Sequence, residues 1–247
     1  MSDSIDQAVI EFPLYVANKA IKSGQWLEVH DKFSGKIYAK VALADAKILE
    51  KAISAAVKAE KEMAALKPFQ KQKILLHCVQ RFKELREELT QILIIEGGKP
   101  KLAAAAEVER LINTFQLAAD AVSTINDGHL MPLAVTAAAS AYRGMVQHVP
   151  IGAVSLISPF NFPLNLTAHK IAPAIAAGCP FVLKPASLTP ISALKIAEIL
   201  AETDLPKGAF SILPCPREHA DVLVTDDRLK LLSFTGSDQV GWDMKAR

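Results

Sequence analysis

The sequence predicts an α/β fold: a doubly wound parallel sheet, preceded by strand hairpins and a layer of helices. Three observations carry this reading. Short apolar runs of strand length recur between residues 152 and 234, each followed by a stretch with helical spacing. The runs end in turn-forming or polar groups, Ser158-Pro159-Phe160-Asn161, Lys184-Pro185 and Thr235-Gly236-Ser237. Upstream, helix-length segments between residues 45 and 125 carry their own start and stop signals. Strands alternating with helices argue for right-handed crossovers and hence a parallel sheet.

Taken in order, residues 14–43 alternate polar and apolar side chains around turns at Lys22-Ser23-Gly24 and Phe33-Ser34-Gly35-Lys36. That pattern predicts two hairpin-like strand pairs. Asp45 suits the N-cap of a helix running to about Leu66, whose alanines (Ala52, Ala55, Ala56, Ala59, Ala64) predict close packing on a neighbour. Pro68 opens a second helix with Ile74, Leu75, Val79, Phe82 and Leu85 on one side. A third begins near Glu87 and stops at Gly97-Gly98; a fourth runs from Pro100 to about Ile125, with Asn126-Asp127-Gly128 as its stop. Residues 129–149 have few helix signals and read as strands.

The first apolar run of the sheet covers residues 152–157. Pro163 suits the first turn of the helix that follows, where a missing N–H costs nothing. Leu164, Ala168, Ile171, Ala172 and Ile175 keep its apolar spacing; Gly178 fits a left-handed C-cap, and Pro180 blocks continuation. Residues 181–183 form the next strand. Thr189-Pro190 reads as an N-cap and N1 pair opening a helix through about Ala201. Residues 210–213 and 231–234 are the third and fourth strands; 217–224 and 238–247 read as helical. In such a sheet, ligands bind beyond the carboxyl ends of the strands.

The 247 residues are 51% hydrophobic, enough for one large domain or two small ones. A net charge of +2 gives no electrostatic footprint for nucleic acid or an anionic membrane. No apolar run reaches the ~20 residues of a membrane span. The N-terminus lacks the basic-then-apolar order of a signal peptide. Cys78, Cys179 and Cys215 lie far apart, without metal-ligand spacing, which fits a reduced, cytoplasmic protein.

The segments SPFNFP, LKPAS and SFTGS, in this order and spacing, resemble the cofactor domain of the aldehyde dehydrogenase superfamily. Glu96-Gly97-Gly98-Lys99-Pro100 resembles the family's E-x-G-K-P turn, and Leu205-Pro206-Lys207-Gly208 its L-P-x-G turn. The likeness covers roughly residues 20–247. It implies a Rossmann-like dinucleotide-binding core over 150–247. Before it come the domain's own N-terminal strands and helices (1–128) and strands that reach a neighbouring subunit (129–149). Residues 129–149 are alternatively an ordinary hairpin edge. The resemblance further implies oxidation of a small-molecule aldehyde to a carboxylic acid through a cysteine thioester, with NADP or NAD as acceptor, and a homo-oligomer in the full-length form.

On residue type alone, Asn161 is a turn-satisfying side chain or an amide donor for a developing alkoxide, a contact typically worth ~3 kcal/mol of barrier. The resemblance assigns it the second role. The same likeness places Lys184 on ribose hydroxyls or phosphate, with Pro185 locking the strand end. Members that select NAD commonly carry Glu where this chain has Ser187. Ser removes a repulsion against a 2′-phosphate and leaves Lys184 uncancelled, so NADP is expected to bind. Gly236-Ser237 read either as a plain N-cap or, by resemblance, as the pyrophosphate contact. Ser158, Pro159 and Phe160 become wall residues of the cofactor site. Cys215-Pro216-Arg217-Glu218 departs from the glycines common near the adenine. Trp242 reads as a core or interface aromatic, His169 as a packed or capping histidine, and Glu198 and Glu202 as a solvated helix face. The family's general-base Glu and nucleophilic Cys belong to segments beyond residue 247. A chain without that catalytic domain is expected to be inactive alone and to self-associate. The alternative is a non-catalytic nucleotide-binding or interaction module, for which the Asn161 amide would have no use.

Overall fold

The computed structural model describes residues 9–125 and 128–247. In chain order, β1 (Ile10–Phe12), β2 (Leu14–Val16), β3 (Lys19–Ile21), β4 (Trp26–His30) and β5 (Ile37–Ala42) precede four helices. These are α1 (Ala46–Ala65), α2 (Pro68–Glu84), α3 (Arg86–Gly97) and α4 (Lys101–Ile125). A ribbon of β6 (His129–Pro132) and β7 (Arg143–Val146) follows. The remainder alternates: β8 (Val154–Ile157), α5 (Pro163–Ala177), β9 (Phe181–Lys184), α6 (Ile191–Ala201), β10 (Phe210–Ile212), α7 (Val222–Thr225), β11 (Leu231–Phe234) and α8 (Asp238–Lys245).

The main sheet has the order β11-β8-β9-β10-β2-β3. Its β11, β8, β9 and β10 are parallel, in register Val154↔Phe181 and Leu231↔Val154. The short hairpin β2–β3 adds two antiparallel strands beyond β10. Period-2 alternation splits β9 between two cores: Phe181 and Leu183 face the helices α2 to α6, whereas Val182 faces α1. Helices α5 and α6 cover the first face, α2 to α4 pack outside them, and α1 covers the other. The helix layer thus backs the two helices that start at the ends of β8 and β9. A separate small sheet, β1-β5-β4, lies against α3.

Most boundaries match their sequence signals. The Asp45 carboxylate accepts from the Ile48 N–H at 2.8 Å, capping α1. Gly98 and Gly178 end α3 and α5 in the left-handed region, at φ 65° and 82°. Leu164, Ala168, Ile171, Ala172 and Ile175 are all fully buried. Ala52, Ala56 and Ala59 are buried too, and a Cβ on Gly208 would come within 2.5 Å of the Ala55 carbonyl oxygen. The small residues of α1 and this glycine therefore allow the loop before β10 to pack against the helix backbone.

Four local expectations are corrected. The first hairpin turns at Ala17-Asn18, both at positive φ, while Lys22-Ser23-Gly24 links β3 to β4. Asn18 wins that position because its side chain is used twice. Its amide donates to the carbonyls of Leu205 and Pro206, and its oxygen accepts from the N–H groups of Gly208 and Phe210. Thr189 does not cap α6; its hydroxyl donates to the Phe160 carbonyl at 3.3 Å. Residues 217–224 do not form one helix but a 3₁₀ turn, Arg217–His219, followed by the single turn α7. Ala64 is exposed, one face away from the packed alanines of α1. The expected stop at Asn126-Asp127 lies outside the described residues.

Candidate functional site

The chain runs β8, β9, β10 outward in one direction and then returns to place β11 on the other side of β8. Between β8 and β11 the order reverses. Crossovers diverge at such a switch point and leave a crevice at the carboxyl ends of the strands. The structure brings the sequence-predicted residues to this edge. Ser158 to Asn161 follow β8, Lys184 to Ser187 follow β9, and Gly236 and Ser237 follow β11.

Their environments differ. Ser158 is buried and its N–H donates to the Lys184 carbonyl, tying the ends of β8 and β9 together at 3.2 Å. Pro159 is half-buried; Phe160 and Asn161 are exposed. The Asn161 side chain makes no hydrogen bond among the described residues, so it does not serve the turn that carries it. Lys184 is half-buried, its ammonium 3.4 Å from the Pro185 carbonyl oxygen; Pro185 is buried and Ser187 exposed. At β11, a Cβ on Gly236 would strike the Phe234 ring. Ser237 occupies the N-cap position of α8, yet its hydroxyl caps nothing. In the first turn of α8 the Gln239 N–H is taken by the Asp238 carboxylate at 2.8 Å, so the Ser237 hydroxyl is the side-chain donor left free at this helix start.

Three further residues, of which only Glu96 carried a sequence signal as part of the E-x-G-K-P turn, support the site. Glu96 is fully buried at the end of α3 and accepts from the Ile191 and Ser192 N–H groups (2.8 and 2.9 Å) and from the Ser192 hydroxyl. It is the cap that Thr189 does not provide. Burial pushes its carboxyl up to about 7, against the pull of those donors. Glu107, on α4, does the same for α5: one oxygen accepts from the Leu164 and Asn165 N–H groups at 3.0 and 3.1 Å, and the other pairs with Lys99. The third is Lys170 on α5. Its buried ammonium donates to Ser233 and Thr235 hydroxyls at the end of β11 (3.1 and 2.8 Å), and burial lowers it to about 8. None of these roles was legible locally, because the partners lie 57 to 95 residues away or across the sheet.

Other side chains fall outside the site or change role. His169 is exposed rather than packed. Trp242 is 63% exposed on α8, neither core nor buried, with the Lys245 ammonium 4.9 Å from its ring. It borders the same recess as Gly236 and Ser237. Glu198 and Glu202 are exposed and ion-paired, with Lys195 and with Arg81 and His77. All three cysteines are buried, and burial pushes the thiols of Cys78 and Cys215 up, the latter to about 11. A raised, buried thiol is a poor nucleophile. No cluster of metal ligands occurs among the described residues. No helix among them is long and apolar enough to cross a membrane.

An α/β sheet with a switch point between β8 and β11 defines a class of folds that bind ligands at that edge. Comparison with known proteins is more specific. The model of the aldehyde dehydrogenase family matches residues 19–247, and the chain belongs to that family. It is 33% identical to 3-sulfolactaldehyde dehydrogenase of Priestia megaterium over 94% of this chain and 48% of that protein. It is 35% identical to lactaldehyde dehydrogenase of Methanocaldococcus jannaschii, over 88% of this chain and 48% of that protein. Among solved structures, aldehyde dehydrogenase 21 of Physcomitrella patens, in complex with the reaction product succinate, superposes with a TM-score of 0.95. That match is 48% identical and covers 97% of this chain and 50% of that one. An E. coli NADP dependent enzyme superposes at 0.89 with 28% identity, over 96% and 49% of the two chains. The chain thus spans about half the length of the relatives it matches.

Proposed function

We propose that this chain supplies the dinucleotide site and the oxyanion-stabilising amide for NADP- or NAD-dependent oxidation of a small, non-aromatic aldehyde to its carboxylic acid. The observation that carries the reading is the reversal of strand order between β8 and β11, which puts an unengaged Asn161 amide past the end of one strand and the Gly236-Ser237 helix start past the end of the other. The residues present fit a dinucleotide. Gly236 leaves no side chain between a pyrophosphate and the α8 N–H groups, and Ser237 adds a hydroxyl donor. Lys184 is the cation for ribose or a 2′-phosphate, and Ser187 leaves room for that phosphate. Ser158, Pro159 and Phe160 form the wall beside them. Bound there, a nicotinamide ring would supply the hydride acceptor.

Asn161 contributes by donating its side-chain N–H to the oxygen on which negative charge develops. A fixed donor in that role is worth ~3 kcal/mol. Pinned neighbours hold it ready without using its hydrogen-bonding capacity. All three thiols are buried, away from an aldehyde, so these 247 residues are expected to bind cofactor without turning over by themselves. The NADP dependent E. coli relative and the succinate complex of the moss enzyme fit this cofactor and a small aliphatic substrate. The apolar ribbon β6–β7, with Leu130 and Met145 about as exposed as Val149 (71%, 70% and 73%), supports contact with a second copy. The decisive test is whether this chain binds NADP or NAD. Micromolar binding of either supports the reading, and no binding at millimolar concentration overturns it.

A further inference from the structure

The five residues Glu96-Gly97-Gly98-Lys99-Pro100 lie outside the crevice, yet they reach both helices that start at its edge. Glu96 caps α6 directly. Lys99 acts on α5 through Glu107. The Glu107 side chain is fully buried and that of Lys99 is 14% exposed. One Glu107 oxygen takes the first free N–H groups of α5, from Leu164 and Asn165; the other holds the Lys99 ammonium. The same ammonium stands 3.8 Å from the centroid of the Phe162 ring, with the Arg110 guanidinium 5.9 Å away. Phe162 is the N-cap residue of α5 and directly follows Asn161. On the other side, Phe160 is tied through its carbonyl to Thr189.

The turn is therefore anchored through the Phe160 carbonyl, the Phe162 ring and the N–H groups of residues 164 and 165, on both sides of Asn161. The geometry points to Lys99 and Glu107 as positioning residues that hold the backbone on which the Asn161 amide is presented. A carboxylate at a helix N-terminus and a cation on an aromatic face each stabilise the fold in any setting. Here both converge on the two residues that flank Asn161. The pair is also costly to bury, and breaking it by removing one partner leaves an uncompensated buried charge.

The inference rests on the reading of Asn161 as an oxyanion donor, but its test needs no dinucleotide or aldehyde. The chain is labelled with ¹⁵N-asparagine, and the Asn161 resonances are assigned by their loss in Asn161→Ala. In the wild type, Asn161 is expected to be as ordered as Asn165 inside α5, with a backbone order parameter of about 0.85; a value below about 0.6 overturns the proposal outright. In the double variant Lys99→Met/Glu107→Gln, which leaves no lone charge and keeps an acceptor for the α5 N–H groups, the Asn161 order parameter falls toward about 0.6 and its side-chain amide signals shift. Asn18 and Asn113 stay unchanged. Lys99→Arg, which retains the ion pair and the cation over Phe162, keeps Asn161 as in the wild type. A double variant that merely melts earlier while its Asn161 signals and order stay native contradicts the inference. Absence of dinucleotide binding alongside the expected Asn161 response would sink the proposed function and leave the positioning role intact.

Discussion

Ser187 shows how much a single exposed side chain can decide. It sits just past the end of β9, two residues after the buried Pro185 that fixes where Lys184 points. In the proposed site, a hydroxyl there leaves no carboxylate to compete with Lys184 for a 2′-phosphate. In Ser187→Glu, NADP is expected to bind at least tenfold more weakly, about 1.4 kcal/mol, while NAD holds or gains. Equal losses for both cofactors, read by titration, would remove Ser187 from the cofactor site. At this scale, the places of Asn161, Lys184 and Gly236 at the strand ends were legible because strand, turn and helix start follow one another within a few residues. The roles of Glu96, Glu107 and Lys170 were not. A glutamate inside an amphipathic helix has no local mark that it will be buried, and Lys170 looks like any solvent-facing lysine until β11 closes over it.

Helix starts carry the argument at the scale of elements. The signals Pro163 and Thr189-Pro190 correctly mark where α5 and α6 begin, but neither helix caps itself. Carboxylates from α3 and α4 do so instead, which couples the helix layer to the edge of the sheet. Glu96 makes this coupling measurable through pH. Its folded pKa, about 7, lies above the ordinary carboxyl value of 4.5. Its stabilising contribution is thus complete below about 4.5 and is lost as pH rises through about 7, because the unfolded chain gives up the proton first. Glu96→Gln cannot titrate. Melting temperatures from pH 5 to pH 8 should therefore show the wild type losing ground relative to this variant. A difference that stays flat across the window would mean the carboxylate is already charged in the fold. The strands needed no such help: their apolar runs and period-2 burial were visible in sequence. The Ala17-Asn18 turn was hidden because Asn18 is fixed by partners 187 to 192 residues away.

Across the whole molecule, the order β11-β8-β9-β10 puts three separated motifs on one edge, and the N-terminal helices back that edge without entering it. The alternation of strands and helices was enough to foresee this half of the sheet. The antiparallel addition of β2 and β3 was not, since local alternation says nothing about which distant strand a hairpin joins. The ribbon β6–β7 forms its own two-stranded sheet. With Leu130→Lys and Met145→Lys together, sedimentation should show less self-association than the wild type; an unchanged distribution would place the contact between copies elsewhere.

The central claim is that the crevice at the reversal between β8 and β11 holds a dinucleotide by its phosphates. The measurement that tests it most directly is calorimetric titration of this chain with NADP and then NAD, repeated on Gly236→Val. The account predicts micromolar binding to the wild type and at least tenfold weaker binding to the variant, whose side chain would meet the Phe234 ring at the start of α8. Absence of heat from the folded wild-type chain at millimolar dinucleotide, or equal binding by both proteins, would contradict it.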